Sequence, residues 1–163
     1  MFDYELNGEA ARKALREAAA RLDDMTPVYT DIGEYLLEQR RARFRSGTDP
    51  EGKPWAPKRQ STMDRYKRLG YGTLNRPLIG PSKALSRQIQ RIVSKDGVVI
   101  GSSLAYARTM QEGAAKGAFG SDSRGNPLPW GNIPARRWLD LSDEEELEIV
   151  AIAEEHLEGL LEQ

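Results

Sequence analysis

Apolar residues along this 163-residue chain recur at helical spacing near both ends and at strand spacing only briefly in the middle. Over residues 5–22, Leu6, Ala10, Ala14, Leu15, Ala18, Ala19 and Leu22 return every three or four positions, and alanine is the best helix former. This predicts a helix with a thin stripe, suited to close packing on another helix or subunit. Thr26-Pro27 marks a second start, because threonine caps well and proline fits the first helical position. The second helix is predicted over 27–45, burying Val28, Ile32, Tyr35, Leu36 and Phe44. Its last turns carry Arg40, Arg41, Arg43 and Arg45, where the helix dipole favours cations, and Gly47 is its stop. The clearest element is C-terminal. Ser142 with Glu145 three residues on makes a capping box, Asp143 and Glu144 suit the positive end of the dipole, and Leu147, Val150, Ala151, Leu157, Leu160 and Leu161 form the apolar stripe.

The middle is more broken. Residues 46–60 read as a loop in which Asp49-Pro50-Glu51-Gly52 suits a type I turn and Trp55 sits in an extended stretch between prolines. A short helix follows over 61–69, then a loop over 70–82 with Leu74, Leu78 and Ile79 as anchors. Ser82 caps a predicted helix over 83–91 with Leu85 and Ile89 on one face. Ile92-Val93 and Val98-Val99-Ile100 are strand-forming runs divided by Lys95-Asp96-Gly97, and Asp-Gly is a strong hairpin signal. A further short helix over 104–111 ends near Gly113. Residues 113–132 hold five glycines in twenty positions and read as a flexible loop. The predicted fold class is α+β and mainly helical, with long terminal helices, a small antiparallel hairpin or sheet, and long loops. One domain spans 1–163, with 1–26 as an N-terminal helical extension.

Charge changes this picture more than composition does. The net charge is −1, yet Arg40–Arg76 holds eleven Lys or Arg against three acids, and Asp140–Gln163 holds ten acids and no Lys or Arg. Three readings stand: two solvated faces, a basic segment facing DNA phosphates, or a head-to-tail match in which the acidic end of one subunit meets the basic region of the next. Charge matching of that kind fixes register and partner choice. The chain has no cysteine, which removes disulfides and thiolate zinc sites. It has no apolar run of membrane-spanning length and no signal-peptide plan at its start.

Catalytic constellations are not legible. His156 is the single histidine and lies among Glu154, Glu155 and Glu158, the setting of a surface residue rather than of a metal ligand or general base. Gly101-Ser102-Ser103 and Gly70-Tyr71-Gly72 lack the Gly-Lys-Ser/Thr ending of a phosphate loop. The basic segment interleaved with Trp55, Tyr66 and Tyr71 is the one nucleic-acid candidate, set against the plainer reading that these aromatics pin loops to the core. These residues point away from an enzyme, with a pair of carboxylates brought together by the fold left open as a hydrolase alternative.

Three islands stand out in order: Gly47–Trp55, then Val98–Ser102 with Tyr106-Ala107, then Ile133-Pro134-Ala135-Arg136-Arg137-Trp138-Leu139. Together with the Arg40–Phe44 helix end, Ser61-Thr62, Lys67, Leu85 and Ile89, they resemble the Mu-like phage virion morphogenesis family, also called phage tail completion proteins. The resemblance covers about residues 27–150. Gln111–Ala114 stands where a His-Gln-x-Gly-like run is common in the family, and Trp138 where Phe is usual. The resemblance implies a structural protein of the phage neck or tail end that completes the tail and joins it to the head. It implies a homo-oligomeric ring, six by the common build of tails, meeting head-completion, portal-adaptor or tail-terminator proteins. It implies no cofactor, no metal and no catalytic residue. On this reading Lys53, Trp55, Arg136, Arg137 and Trp138 are interface candidates, set against a reading of Pro134–Leu139 as a core-packed connector that is favoured for Trp138 and evenly balanced for Arg136 and Arg137, and Arg40, Arg41, Arg43 and Arg45 are candidates for lining a DNA-passing lumen. The Trp55 loop and the 113–132 loop are expected to order on contact with a neighbouring ring. The alternative is a small DNA-binding module using residues 40–76.

Overall fold

A long helix with a hairpin and a second long helix laid against it organises the chain. The structure, a computed structural model, describes residues 9–72 and 74–161. In order these form α1 (Glu9–Asp23), α2 (Thr26–Ser46), α3 (Gln60–Arg68), α4 (Ala84–Arg87), β1 (Gln90–Ser94), β2 (Gly97–Gly101), α5 (Ala107–Glu112) and α6 (Asp143–Leu161). The fold is α+β and mainly helical with a two-stranded antiparallel sheet, as the sequence predicts.

Local signals account for most element ends. Pro27 sits in the first turn of α2, and Gly47 closes the helix in the left-handed region at φ 76°, its amide donating to the Arg43 carbonyl at 2.7 Å. Thr26 does not cap; it lies inside the helix, and its amide donates to the Asp24 carboxylate at 3.0 Å. The hairpin pairs Ser94 with Gly97 across the two-residue turn Lys95-Asp96. The helix predicted over 83–91 stops at Arg87; Ile89 still reaches the core, from the lead-in to β1.

Two apolar clusters share α2 as their spine. Val28, Ile32 and Leu36 pack with Val98 and Ile100 of the hairpin and with Ile149, Ile152 and Ala153 of α6. Phe44 packs with Trp55, Ile79, Leu85, Ile89, Ala107 and Trp138. The hairpin lies so close to α2 that a Cβ on Gly33 would fall 2.5 Å from Arg91 Cδ and 2.8 Å from Val98 Cγ2. Arg91 donates to the Thr30 carbonyl at 3.0 Å and pairs with Glu34 at 3.1 Å.

The apolar stripe predicted for α6 requires correction. Leu147, Val150 and Leu157 are exposed, by 72 % for Leu147 and 53 % for Val150. The inward line is the buried Glu145 followed by the partly buried Ile149, Ile152, Ala153 and His156. His156 Nε2 lies 2.7 Å from the Asp31 carboxylate on α2, so this histidine ties two helices together. The side chains of Leu160 and Leu161 lie outside the described residues. So do Leu6 and the side chains of Ala10, Ala14, Leu15 and Ala18 in the first stripe; Ala19 and Leu22 are exposed.

The glycine-rich 113–132 segment takes a defined course. It leaves and returns through an Ala114–Ile133 bridge and narrows to a Ser121–Pro127 bridge. Phe119 donates to the Leu128 carbonyl at 2.7 Å, and Asp122 accepts from the amides of Arg124 and Asn126, both at 2.9 Å. Gly113 opens this excursion at φ 76°, ψ 178°, a region essentially reserved for glycine. A Cβ there would meet Ala135 N and Ile133 O at 2.7 Å each. Gly113→Ala is therefore expected to cost at least about 1–3 kcal/mol from backbone strain, read as a lower urea midpoint with unchanged slope. A wild-type midpoint would remove this account of the glycine.

Candidate functional site

The arginine-rich end of α2 is where the chain concentrates its unusual chemistry. Positions 40 and 43 share one side of the helix, whereas 41 and 45 turn to roughly the opposite side at 3.6 residues per turn. On the first side the structure builds a clamp. Arg40, 1 % exposed, donates to one carboxylate oxygen of Glu145 at 2.7 Å, and Arg43 donates to the other at 2.7 Å. Glu145 is itself 5 % exposed. It also closes the capping box of α6: Ser142 N donates to Glu145 Oε2 at 3.1 Å, and Glu145 N donates to Ser142 Oγ at 3.2 Å. Arg43 reaches further, to the carbonyls of Trp138 and Asp140. One carboxylate thus faces two guanidiniums, leaving an excess positive charge indoors. Burial first, and then the Arg40 charge, pull the Arg43 guanidinium below its usual pKa, with Glu145 opposing both.

This corrects the lumen assignment for Arg40 and Arg43. A guanidinium taken out of water and paired to a carboxylate has no face to offer a phosphate. Arg41 and Arg45 are exposed, and Arg45 pairs with Glu38 at 2.6 Å.

Beside the clamp the three sequence islands converge. The Gly47–Trp55 loop folds on itself: Asp49 N donates to the Lys53 carbonyl at 2.8 Å, Lys53 N to Asp49 Oδ1 at 2.8 Å, and Trp55 N to the Gly47 carbonyl at 2.9 Å. That geometry delivers the indole of Trp55 edge-on to Phe44, with ring centres 5.4 Å apart, and its Nε1 to the Arg137 carbonyl at 3.3 Å. Trp138 packs against the same Phe44 at 5.7 Å. Both tryptophans are core anchors, not contact residues, so the structure does not support them as interface candidates.

Arg136 is also corrected. It is 8 % exposed, and it donates through Nε to the Ala56 carbonyl at 2.8 Å and through Nη2 to the Pro57 carbonyl at 3.1 Å. It locks the third island to the loop after the first, and burial pulls its pKa down. Arg137 stays half-exposed, bridging Glu51 at 3.0 Å and Asp140 at 2.6 Å. Lys53 is exposed. Of the five interface candidates, Lys53 and Arg137 therefore keep a surface.

Two contributors were not legible beforehand. Gln111 Oε1 accepts from the amides of Trp138 at 2.8 Å and Leu139 at 3.0 Å, fixing the approach to α6. Lys58 donates to the carbonyls of Leu74 and Ile79 at 2.5 Å each and lies 4.8 Å from the Tyr66 ring centre. Burial, then the Arg136 charge, lowers its pKa. A lone Gln at the end of the short α5 and a lone Lys in a loop carry no pattern that announces such roles.

The exposed side of α2 borders a basic groove of about 430 Å³ whose lining includes Arg41, Arg45, Arg76, Lys83 and Arg87. No carboxylate is among its described lining residues. Arg76 donates to the Arg45 carbonyl and so joins the 70–82 loop to the end of α2. Lys83 and Arg87 lie outside the basic segment read from the sequence; the fold brings them to it.

No curated protein and no solved structure matches this chain. The profile of the phage virion morphogenesis family matches residues 6–158, a span that takes in the clamp, all three islands and the charged faces, and the chain belongs to that family.

Proposed function

We propose that this phage virion assembly protein is a structural component of the neck or tail end, completing the tail and joining it to the head as part of a homo-oligomeric ring of six. Family membership across residues 6–158 carries the reading. The site supports it in kind. The motif residues Trp55, Arg136 and Trp138 hold loops together, and the chemistry left at the surface is charge of opposite sign on different sides of one subunit. That is the equipment of an interaction protein. Cofactors and metals have no part in this reading. Its partners are further copies of itself and the head-completion, portal-adaptor or tail-terminator proteins around it. The protein is made in the host cytoplasm and ends in the virion.

A phage whose copy of this gene carries an early stop codon is expected to accumulate filled heads and separate tails, with infectivity restored when the protein is supplied in trans. Gold-labelled protein should appear at the neck or tail end in electron micrographs. Normal infectious particles from the stop mutant would end this reading.

A further inference from the structure

Two exposed surfaces of this chain complement each other in charge. The first is the outer side of α6. Leu147, Val150, Glu154 and Leu157 fall at three- and four-residue steps, one ridge along the helix, and all are exposed. Glu144, Glu146, Glu148, Glu155 and Glu158 also stand exposed on this helix, and no Lys or Arg occurs after Arg137. The second is the basic groove of Arg41, Arg45, Arg76, Lys83 and Arg87.

Their placement matters as much as their sign. Glu145 anchors α6 to the Arg40–Arg43 side of α2, whereas Arg41 and Arg45 turn to roughly the opposite side. The ridge and the groove of one subunit therefore look away from each other. A surface and its complement on opposite sides give a heterologous contact, which repeats from copy to copy and closes into a ring when the rotation allows.

We propose that the α6 ridge of one copy docks in the basic groove of the next. The occupant is a second copy of this chain, chosen by charge: an acidic helix face without cations meets a groove lined by five cations, of which Arg45 alone is shown paired to a carboxylate, Glu38 at its edge. Symmetric pairing of α6 with α6 would set acids against acids and is disfavoured for that reason. Leu147, Val150 and Leu157 would lie on the aliphatic stems of the groove's Arg and Lys side chains, which cover apolar surface while keeping their charged ends wet. This rests on the ring reading above and names the two surfaces that make the ring.

The test uses two charge-reversed variants of the full chain, with folding checked by circular dichroism. One carries Glu148→Lys, Glu154→Lys and Glu155→Lys; the other carries Arg41→Glu, Lys83→Glu and Arg87→Glu. Wild-type protein is expected to sediment as a closed multimer at low salt and to dissociate as salt rises, since screening sets in over roughly 10 Å at 0.1 M. Each variant alone should sediment as a monomer at the concentration where wild type assembles. An equimolar mixture should reassemble, because the basic ridge of one variant fits the acidic groove of the other, giving alternating 1:1 rings. A monomeric wild type, variants that assemble alone, or a mixture that stays monomeric would each overturn the proposal. So would a groove that binds duplex DNA while its reversal leaves assembly intact. The virion role is read separately, by complementation of the stop mutant, so a neck protein that uses other surfaces is told apart from a chain that is no neck protein.

Discussion

Glu145→Gln is expected to destabilise the protein by about 3–5 kcal/mol, the usual cost of breaking a buried ion pair by removing one partner. Glutamine keeps the shape and retains the capping-box function, since Gln serves as well as Glu at that position. What it removes is the charge that two buried guanidiniums share at 2.7 Å each. Arg40 has little to fall back on: its Nε already lacks a hydrogen-bond partner. Arg43 would retain the carbonyls of Trp138 and Asp140. For a chain of this size the melting temperature should fall by roughly 10–15 °C, followed by circular dichroism at 222 nm. Replacing all three members by apolar residues (Arg40→Met, Arg43→Leu, Glu145→Leu) should recover part of the loss, because desolvation is then no longer opposed by an incomplete pairing. A loss below about 1 kcal/mol for Glu145→Gln would mean that water reaches the clamp and screens it.

The same substitution bears on assembly. Glu145 sets the rotation of α6 about its axis, because Ile149, Ile152 and His156 follow it at four, three and four residues. Loosening that anchor frees the ridge of Leu147, Val150 and Leu157 to turn. Reduced assembly at temperatures where Glu145→Gln is still folded is the expected consequence.

Trp138→Ala should cost a comparable amount, about 3–5 kcal/mol for truncating a fully buried large aromatic. Trp138 is 1 % exposed and sits where all three islands meet. It touches Phe44 from one side, its Nε1 lies 3.5 Å from the Ala107 carbonyl, and Gln111 takes its amide. The cavity left by alanine has rigid walls, since Phe44 is already held by Trp55 at 5.4 Å. Trp138→Phe keeps a ring against Phe44 and should cost roughly half as much or less. Denaturant midpoints of the two variants check this; equal losses would place the energy in the indole N–H rather than in packing.

Local chemistry was readable in advance where it depends on neighbours in sequence. Pro27 and Gly47 bound α2, Asp96-Gly97 sits at the hairpin turn, and Ser142 with Glu145 caps α6. The charge split was readable too, since summed charge does not depend on folding. What failed was the assignment of faces. The arginines at the end of α2 were expected to share one fate, yet two are core and two are surface. On α6 two apolar lines run along one helix, and the more obvious one points outward. The glutamate that decides between them carries the capping box, a local role that conceals its distant partners.

The sequence by itself determined most of the elements and several of their ends, the opposed charges and the family, because each is fixed by residues a few positions apart or by composition. The tertiary structure alone decided which arginine is core and which side of α6 faces out. Those depend on contacts between residues about a hundred positions apart, Arg40 with Glu145 above all. A charge is stable in the core only where a distant segment supplies its partner, and spacing along the chain carries no record of that meeting.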